Sequence, residues 1–174
     1  TGANVIIPNG GVRIMYTDGA GSGAAVADPI GLLGGTGNIA LGSGAMGTAL
    51  TTGTDNVAIG ENALDAVTSG ARNTAVGDNA AGAITTGADN VAVGTNALLV
   101  GTTGTYNVAI GRSALVAATT GAYNIAIGGL SLDALTTADN NIAIGYQALT
   151  ANTSGTDNVG VGTNALDANT TGSD

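Results

Sequence analysis

The feature that most constrains this chain is a short phrase that returns at a fixed distance along most of its length. Eight asparagines open the phrase, and the first gap between them is one position longer than the six gaps that follow, which are all equal. The repeated unit reads N-h-A-h-G-x-x-A-L-x-A-x-T-T-G-x-D, in which h is Val, Ile or Leu. Self-similarity at one period indicates a repeat architecture in which each unit stacks on its neighbours. We therefore predict an array of eight copies over residues 38–174.

Each unit predicts one coil of a rod. The h-A-h stretch alternates with period two and ends at glycine, which predicts a strand. The segment at 63–66 and its equivalents predict a second strand, and the Thr-Thr-Gly stretch predicts a turn. Seventeen extended residues would reach about 56 Å at ~3.3 Å each, so a unit must fold back as a flattened coil. Coils stacked ~4.8 Å apart predict an all-β parallel β-roll, or solenoid, roughly 38 Å long.

The alternation also suggests which residues face inward. We expect the Val, Ile and Leu of each h-A-h strand to fill the interior and the alanine between them to face outward. Thr74 at an h position and Gly160 at the alanine position are mild departures. An outward row of alanine rather than charge favours contact with another subunit, so we expect a trimer. The row comprises Ala40, Ala58, Ala75, Ala92, Ala109, Ala126 and Ala143.

Residues 1–37 precede the array and lack the repeat. Two strand-like runs, 5–7 and 12–16, flank Asn9-Gly10, and Asn-Gly is the strongest short signal for a hairpin. We expect a β-hairpin that caps the first coil, or the end of a preceding module. The first unit carries one extra residue, which we expect to form a bulge or a wider turn between Gly47 and Leu50.

Composition argues against several classes of function. The net charge is −9, with twelve acidic residues against three arginines, so a nucleic acid would be repelled. The chain has no His or Cys, and its acidic residues are scattered, which predicts neither a catalytic set nor an enzyme. No glycine loop runs into Lys-Ser/Thr, so we expect no cofactor. No apolar run is long enough to span a bilayer, which predicts no membrane insertion of this segment.

The sequence offers one candidate metal site, a calcium site. Gly-Thr-Asp-Asn at 53–56 and 155–158 has some likeness to metal-binding repeats. Arg72, Tyr106 and Tyr123 hold the Asp position in other units, whereas a calcium ladder needs carboxylates more regularly. The sequence therefore predicts no metal site.

Three repeated side chains are candidates for special roles. The asparagines predict a hydrogen-bonded amide ladder along the stack. Tyr106 and Tyr123 share one repeat position and should stack in adjacent coils, giving an aromatic strip for a sugar or protein ligand. The Thr pairs suggest ice binding, although each abuts Gly in a predicted turn, which favours ordinary turn hydroxyl bonding. The ladder comprises Asn38, Asn56, Asn73, Asn90, Asn107, Asn124, Asn141 and Asn158.

The phrase Asn-Val-Ala-Ile-Gly, followed by a small residue three positions on, resembles the head repeat of YadA-like trimeric adhesins. It resembles even more a longer-spaced version common in bacteriophage tail fibres, and residues 38–174 carry the resemblance. The resemblance implies a left-handed parallel β-roll and three chains side by side around an axis, hence a homotrimer.

The function that the resemblance implies is a structural fibre or shaft segment of a bacteriophage tail fibre involved in host attachment. Such a segment belongs in the virion tail, and its further partners are other tail proteins or a host-surface receptor. The first alternative is the head of a bacterial trimeric autotransporter adhesin at the cell surface. The second alternative, suggested by the Thr rows, is an ice-binding β-solenoid.

Overall fold

The computed structural model describes residues 37–47, 49–50 and 52–174, so the expected hairpin or cap lies outside the described residues apart from Gly37. Eight strands of three residues follow one another, and the described part of the chain contains no helix. They are β1 (Ile39–Leu41), β2 (Val57–Ile59), β3 (Thr74–Val76), β4 (Val91–Val93), β5 (Val108–Ile110), β6 (Ile125–Ile127), β7 (Ile142–Ile144) and β8 (Val159–Val161).

The strands form one parallel sheet in the order of the chain, from β1 to β8. Each repeat position pairs with the same position of the next unit, as in Val91 with Val108 and Ala92 with Ala109. Seven such pairings join the eight strands, and each connection returns the chain to the same edge. The predicted parallel β-solenoid, with one repeat unit to each coil, is therefore confirmed.

Hydrogen bonds join neighbouring coils around the whole circumference, not only at the strands. The Leu98 N–H donates to the Ala114 carbonyl at 2.9 Å, and the Thr102 N–H donates to the Thr119 carbonyl at 2.9 Å. Both bonds lie outside the sheet. The period is strict because a residue inserted in a coil leaves backbone groups unpaired at the point of insertion.

The inward and outward faces of the strands are the reverse of our expectation. The central residue of each strand, alanine in β1 to β7 and Gly160 in β8, is buried. The flanking Val, Ile and Leu, and Thr74 in β3, point outward with half-buried or exposed side chains. The asparagine before each strand is also buried, so the period-two alternation places h out, Ala in and h out. The expectation was wrong because it assigned the interior to the largest apolar residues.

The wall opposite the strands is not a second strand, which corrects the prediction of two strands per coil. In the coil that contains β5, the segment after the strand is a series of turns in which Ser113 and Leu115 have φ of 57° and 52°. These left-handed residues bend the chain tightly and place a fully buried leucine in the interior. The same leucine position lies against the centre of the strand of the next coil, since a Cβ built on Gly160 would be 3.2 Å from the Leu149 Cγ. The remaining interior space admits only a methyl group from the strand, which explains the alanine row.

The interior is thin, and in some coils a large side chain at one place accompanies a small residue at the other. A Cβ placed on Gly101 would lie 3.1 Å from the Leu98 Cγ, so this leucine occupies the space that a side chain at 101 would need. In the preceding coil the small residue is Ala81 and the large one is Ile84, and both are buried. In the coil of Leu132 and Leu135 both places hold a large side chain and both are fully buried, so the apolar volume of the interior differs from coil to coil.

The extra residue of the first unit falls where the sequence predicted it. Met46 still matches Leu64 of the next coil, since the Met46 N–H donates to the Ala63 carbonyl at 2.8 Å. By Leu50, which packs against the buried core, the spacing to the equivalent Val67 has returned to the regular period of the array. The change of register therefore lies between Gly47 and Leu50, a stretch that includes the undescribed Thr48.

Candidate functional site

The outward side chains of the eight strands form a continuous apolar surface along one side of the rod, which we call the Val/Ile face. It has two parallel rows, one on each side of the buried alanines. The first row is Ile39, Val57, Thr74, Val91, Val108, Ile125, Ile142 and Val159, and the second is Leu41, Ile59, Val76, Val93, Ile110, Ile127, Ile144 and Val161.

The Val/Ile face is large enough to be a protein interface. Half of its sixteen side chains are between 36 and 65% exposed, and the others are half-buried by their neighbours in the rows. At roughly 50 Å² each, sixteen side chains present on the order of 800 Å², which equals the share of one partner in a standard-size interface. Soluble proteins rarely leave a contiguous apolar patch of this size uncovered.

The eight asparagines stand inside the rod and form a ladder along it. From Asn56 onward, the backbone N–H of each asparagine donates to the side-chain Oδ1 of the asparagine one coil earlier, at 2.9–3.2 Å. At Asn107 the Nδ2 donates to the Gly121 carbonyl at 2.7 Å, which ties the start of the coil to its end. No buried side-chain nitrogen or oxygen of the described residues is left without a partner. The ladder thus closes each coil and joins it to the next.

The Thr pairs use one of their two hydroxyl rows for bonding between coils. The first threonine of a pair donates its hydroxyl to the carbonyl of the first threonine one coil later, as from Thr85 to Thr102 at 3.1 Å. The same bond repeats at five other coils. The second threonine of each pair, for example Thr86 or Thr103, is exposed. The hydroxyls of these second threonines therefore form an exposed row, which is the surface that the ice-binding alternative requires.

Tyr106 and Tyr123 lie in adjacent coils with their rings stacked, the centroids 5.0 Å apart and the planes 10° from parallel. Both side chains are about half exposed. They stand at the last position of the unit, where the backbone is left-handed with φ of 57° and 59°. Asn and Asp tolerate this conformation better than other residues with a side chain, which accounts for the frequency of Asp at this position.

The same column of last positions carries an ion pair. Arg72 meets Asp89 of the next coil through two hydrogen bonds, Nε to Oδ1 at 2.6 Å and Nη2 to Oδ2 at 2.7 Å. The hydrogen bond, aided by the opposite charge, lowers the pKa of Asp89 and raises the pKa of Arg72. An exposed pair of this kind adds little stability, because water screens it. It is a further link between coils rather than a reactive site.

The rest of the described surface offers little that meets the requirements of a metal site, a ligand pocket or a membrane span. They contain no group of three or more acidic side chains placed to hold a metal ion. A shallow depression of about 340 Å³ lies beside Gly82, between the polar Asn62 and Asp65 and the apolar Leu99 and Val100. No helix among the described residues is long and apolar enough to cross a membrane. The Val/Ile face is therefore the principal candidate site.

The repeat predicted a row of asparagines and a row of tyrosines, and the structure shows both rows. The Val/Ile face was not predicted, because the Val, Ile and Leu side chains of the strands were expected to fill the interior. The signal that identifies the face is the asparagine itself: once its amide is placed inside, the period-two alternation directs the next residue outward. No protein-family model, characterised protein or solved structure matches the chain.

Proposed function

We propose that this chain is a structural shaft segment of a homotrimeric fibre, and that the fibre is a bacteriophage tail fibre involved in host attachment. The observation that carries the proposal is the Val/Ile face, a surface that runs along all eight strands on one side of the rod and is apolar except at Thr74. The tail-fibre assignment rests on the resemblance of the repeated phrase to the tail-fibre and adhesin repeats.

Association of three chains would cover the face. Two rows of side chains make each face narrow, so three faces turned to one axis enclose a slender interior filled by Val, Ile and Leu. Burial of on the order of 800 Å² per chain, much of it apolar, is sufficient for a stable complex. The proposed coils wind left-handed, as in the repeats that the phrase resembles. The proposed location is the virion tail, and the proposed further partners are other tail proteins or a host-surface receptor.

A mechanical role suits the other features of the rod. Its coils are joined by backbone bonds, the Asn ladder and the Thr hydroxyls, so the rod resists bending and stretching through many parallel hydrogen bonds. The acidic surface keeps such fibres apart from one another and from other anionic surfaces. We therefore propose no catalytic activity for this chain.

The test of the trimer is the mass of the intact chain and of two charge variants in solution, measured by light scattering or sedimentation. We expect three times the mass of one chain for the parent and for Thr103→Glu, whose side chain stands on another surface of the rod. Ile110→Glu places a carboxylate on the Val/Ile face and should give monomers. A monomeric parent, or a trimeric Ile110→Glu, would contradict the proposed interface.

The test of the location is immunoelectron microscopy of phage particles and cells from cultures that produce the protein. Label along the tail fibres is the expected result. Label confined to the bacterial envelope would instead support the adhesin alternative.

The second candidate function is adhesion through the rod itself, as in a bacterial trimeric adhesin head. The observation that favours it is the exposed stack of Tyr106 and Tyr123. Aromatic side chains of this kind contribute much of the energy at protein and sugar contacts. Loss of binding to cells or matrix by Tyr106→Ala, with an unchanged trimer, would support this function. Equal binding by parent and variant would count against it.

A further inference from the structure

The Val/Ile face has one polar side chain within its apolar rows, at Thr74. The two neighbours of Thr74 in its row are Val57 and Val91, with which it pairs directly in the sheet. The side chain is half-buried and points outward, like the other residues of the row. Among the described residues, none accepts or donates a hydrogen bond with its hydroxyl. This hydroxyl is hydrated while the face is open and loses that water when another chain covers the face.

The rest of the face specifies alignment poorly. Each coil offers nearly the same pair of Val or Ile side chains at the same ~4.8 Å spacing, so one copy sliding past another by one coil still matches seven of the eight coils. Reversing one copy also sets apolar rows against apolar rows. A repetitive surface of this kind leaves the register of assembly weakly determined unless some residue breaks its uniformity.

We propose that Thr74 sets a parallel, in-register alignment of the copies of this chain that pack through the Val/Ile face. The inference rests on the proposed homotrimer. In the in-register arrangement the three Thr74 hydroxyls come to the same level of the interior and bond to one another or to a shared water. In a slid or reversed arrangement each hydroxyl faces a Val or Ile without a partner, which is unfavourable in an apolar contact. A single buried polar residue sets the register of coiled coils by the same principle.

The test uses disulfide cross-linking, which is clean here because the chain contains no cysteine. A cysteine at Val57 meets the same cysteine of another copy when the copies are parallel and in register, and a parallel copy shifted by one coil loses this contact. Co-expression of Val57→Cys and Ile142→Cys chains with tags of different length detects the reversed arrangement, since β2 then meets β7. We expect abundant links between identical positions and few mixed links.

The decisive comparison repeats the cross-linking with Thr74 replaced. Thr74→Val keeps the shape of the side chain and removes the hydroxyl, and valine is native at this position in four other strands. We expect an unchanged trimer mass and at least a threefold lower yield of the Val57→Cys link. Thr74→Ser retains a hydroxyl and should preserve the yield, which a merely structural effect of residue 74 does not predict.

Two different failures can be told apart. A monomeric parent would overturn the proposed homotrimer and this inference with it. A trimer in which Thr74→Val leaves the yield of identical-position links unchanged would overturn this inference alone. A trimer whose cross-links are mainly between Val57→Cys and Ile142→Cys would likewise overturn it, since the copies would then be reversed.

Discussion

Replacing Leu115 by alanine tests the thin interior most directly. Leu115 is fully buried on the wall opposite β5, and its coil has only small residues, among them Ala109, Ala114 and Ala118, elsewhere in its core. Three lost carbon atoms at ~0.8 kcal/mol each remove about 2.4 kcal/mol of burial free energy. A residual cavity of ~50 Å³ adds about 1.2 kcal/mol at ~24 cal/mol per Å³, because the hydrogen-bonded coils on both sides prevent collapse. We expect a total loss of ~3–4 kcal/mol.

The assay is equilibrium unfolding in guanidinium followed by circular dichroism, at one chain concentration because association contributes to stability. The matched control is Val100→Ala, an apolar truncation at a 41% exposed site where neighbouring coils carry alanine naturally. It should cost less than ~1 kcal/mol. Equal losses for the two variants would refute the view that the leucine wall is the packed interior.

A second variant tests whether a large side chain at position 118 can replace the one lost at position 115. Leu115→Ala combined with Ala118→Ile copies the arrangement of the coil that has Ala81 and Ile84, both of which are buried. The double variant should recover most of the loss and unfold within ~1.5 kcal/mol of the parent. If the added isoleucine lowers stability further, the two positions do not share one space.

Three further predictions address the bonds that hold the coils together. Asn107→Ala removes one step of the ladder and leaves buried backbone groups unpaired, so the free energy of unfolding should fall by ~2–4 kcal/mol. A fall of less than ~0.5 kcal/mol would show that the ladder is dispensable. Gly111→Ala should disrupt the rod, because the φ of Gly111 is 131° and an added Cβ would lie 2.6 Å from the backbone of the next coil. The control is Gly129→Ala, where the nearest atom to an added Cβ is 3.6 Å away, and its melting temperature should stay near that of the parent. The pairing with Arg72 lowers the pKa of Asp89 in the folded chain below its ordinary value of 3.8. The pair therefore stabilises the fold fully above pH 3.8, and this stabilisation is lost as the pH falls through the lower, folded-state pKa. Asp89→Asn should therefore melt slightly below the parent at pH 7, and the gap should narrow as the pH is lowered below 3.8. A gap that stays constant would contradict the pairing.

The repeat by itself determined the solenoid, its period and the grouping of residues into rows. Because identical positions recur once in every unit, stacking them in register is the arrangement that pairs every backbone group, and this places Asn107 over Asn90 and Tyr123 beside Tyr106. The spacing also predicted that the extra residue of the first unit lies between Gly47 and Leu50. These conclusions depend only on spacing, which the sequence states directly.

Only the tertiary structure decided which face of the strand is the inside. Period two says that Ala109 and Ile110 point in opposite directions, but it does not say which of them points to the interior. That choice depends on the width of the coil, which is set by the left-handed turns that carry Leu115 on the opposite wall. Such turns are unfavourable for a leucine in isolation and persist because they bury its side chain, a balance that local propensity does not contain. The Val/Ile face is a consequence of that three-dimensional constraint.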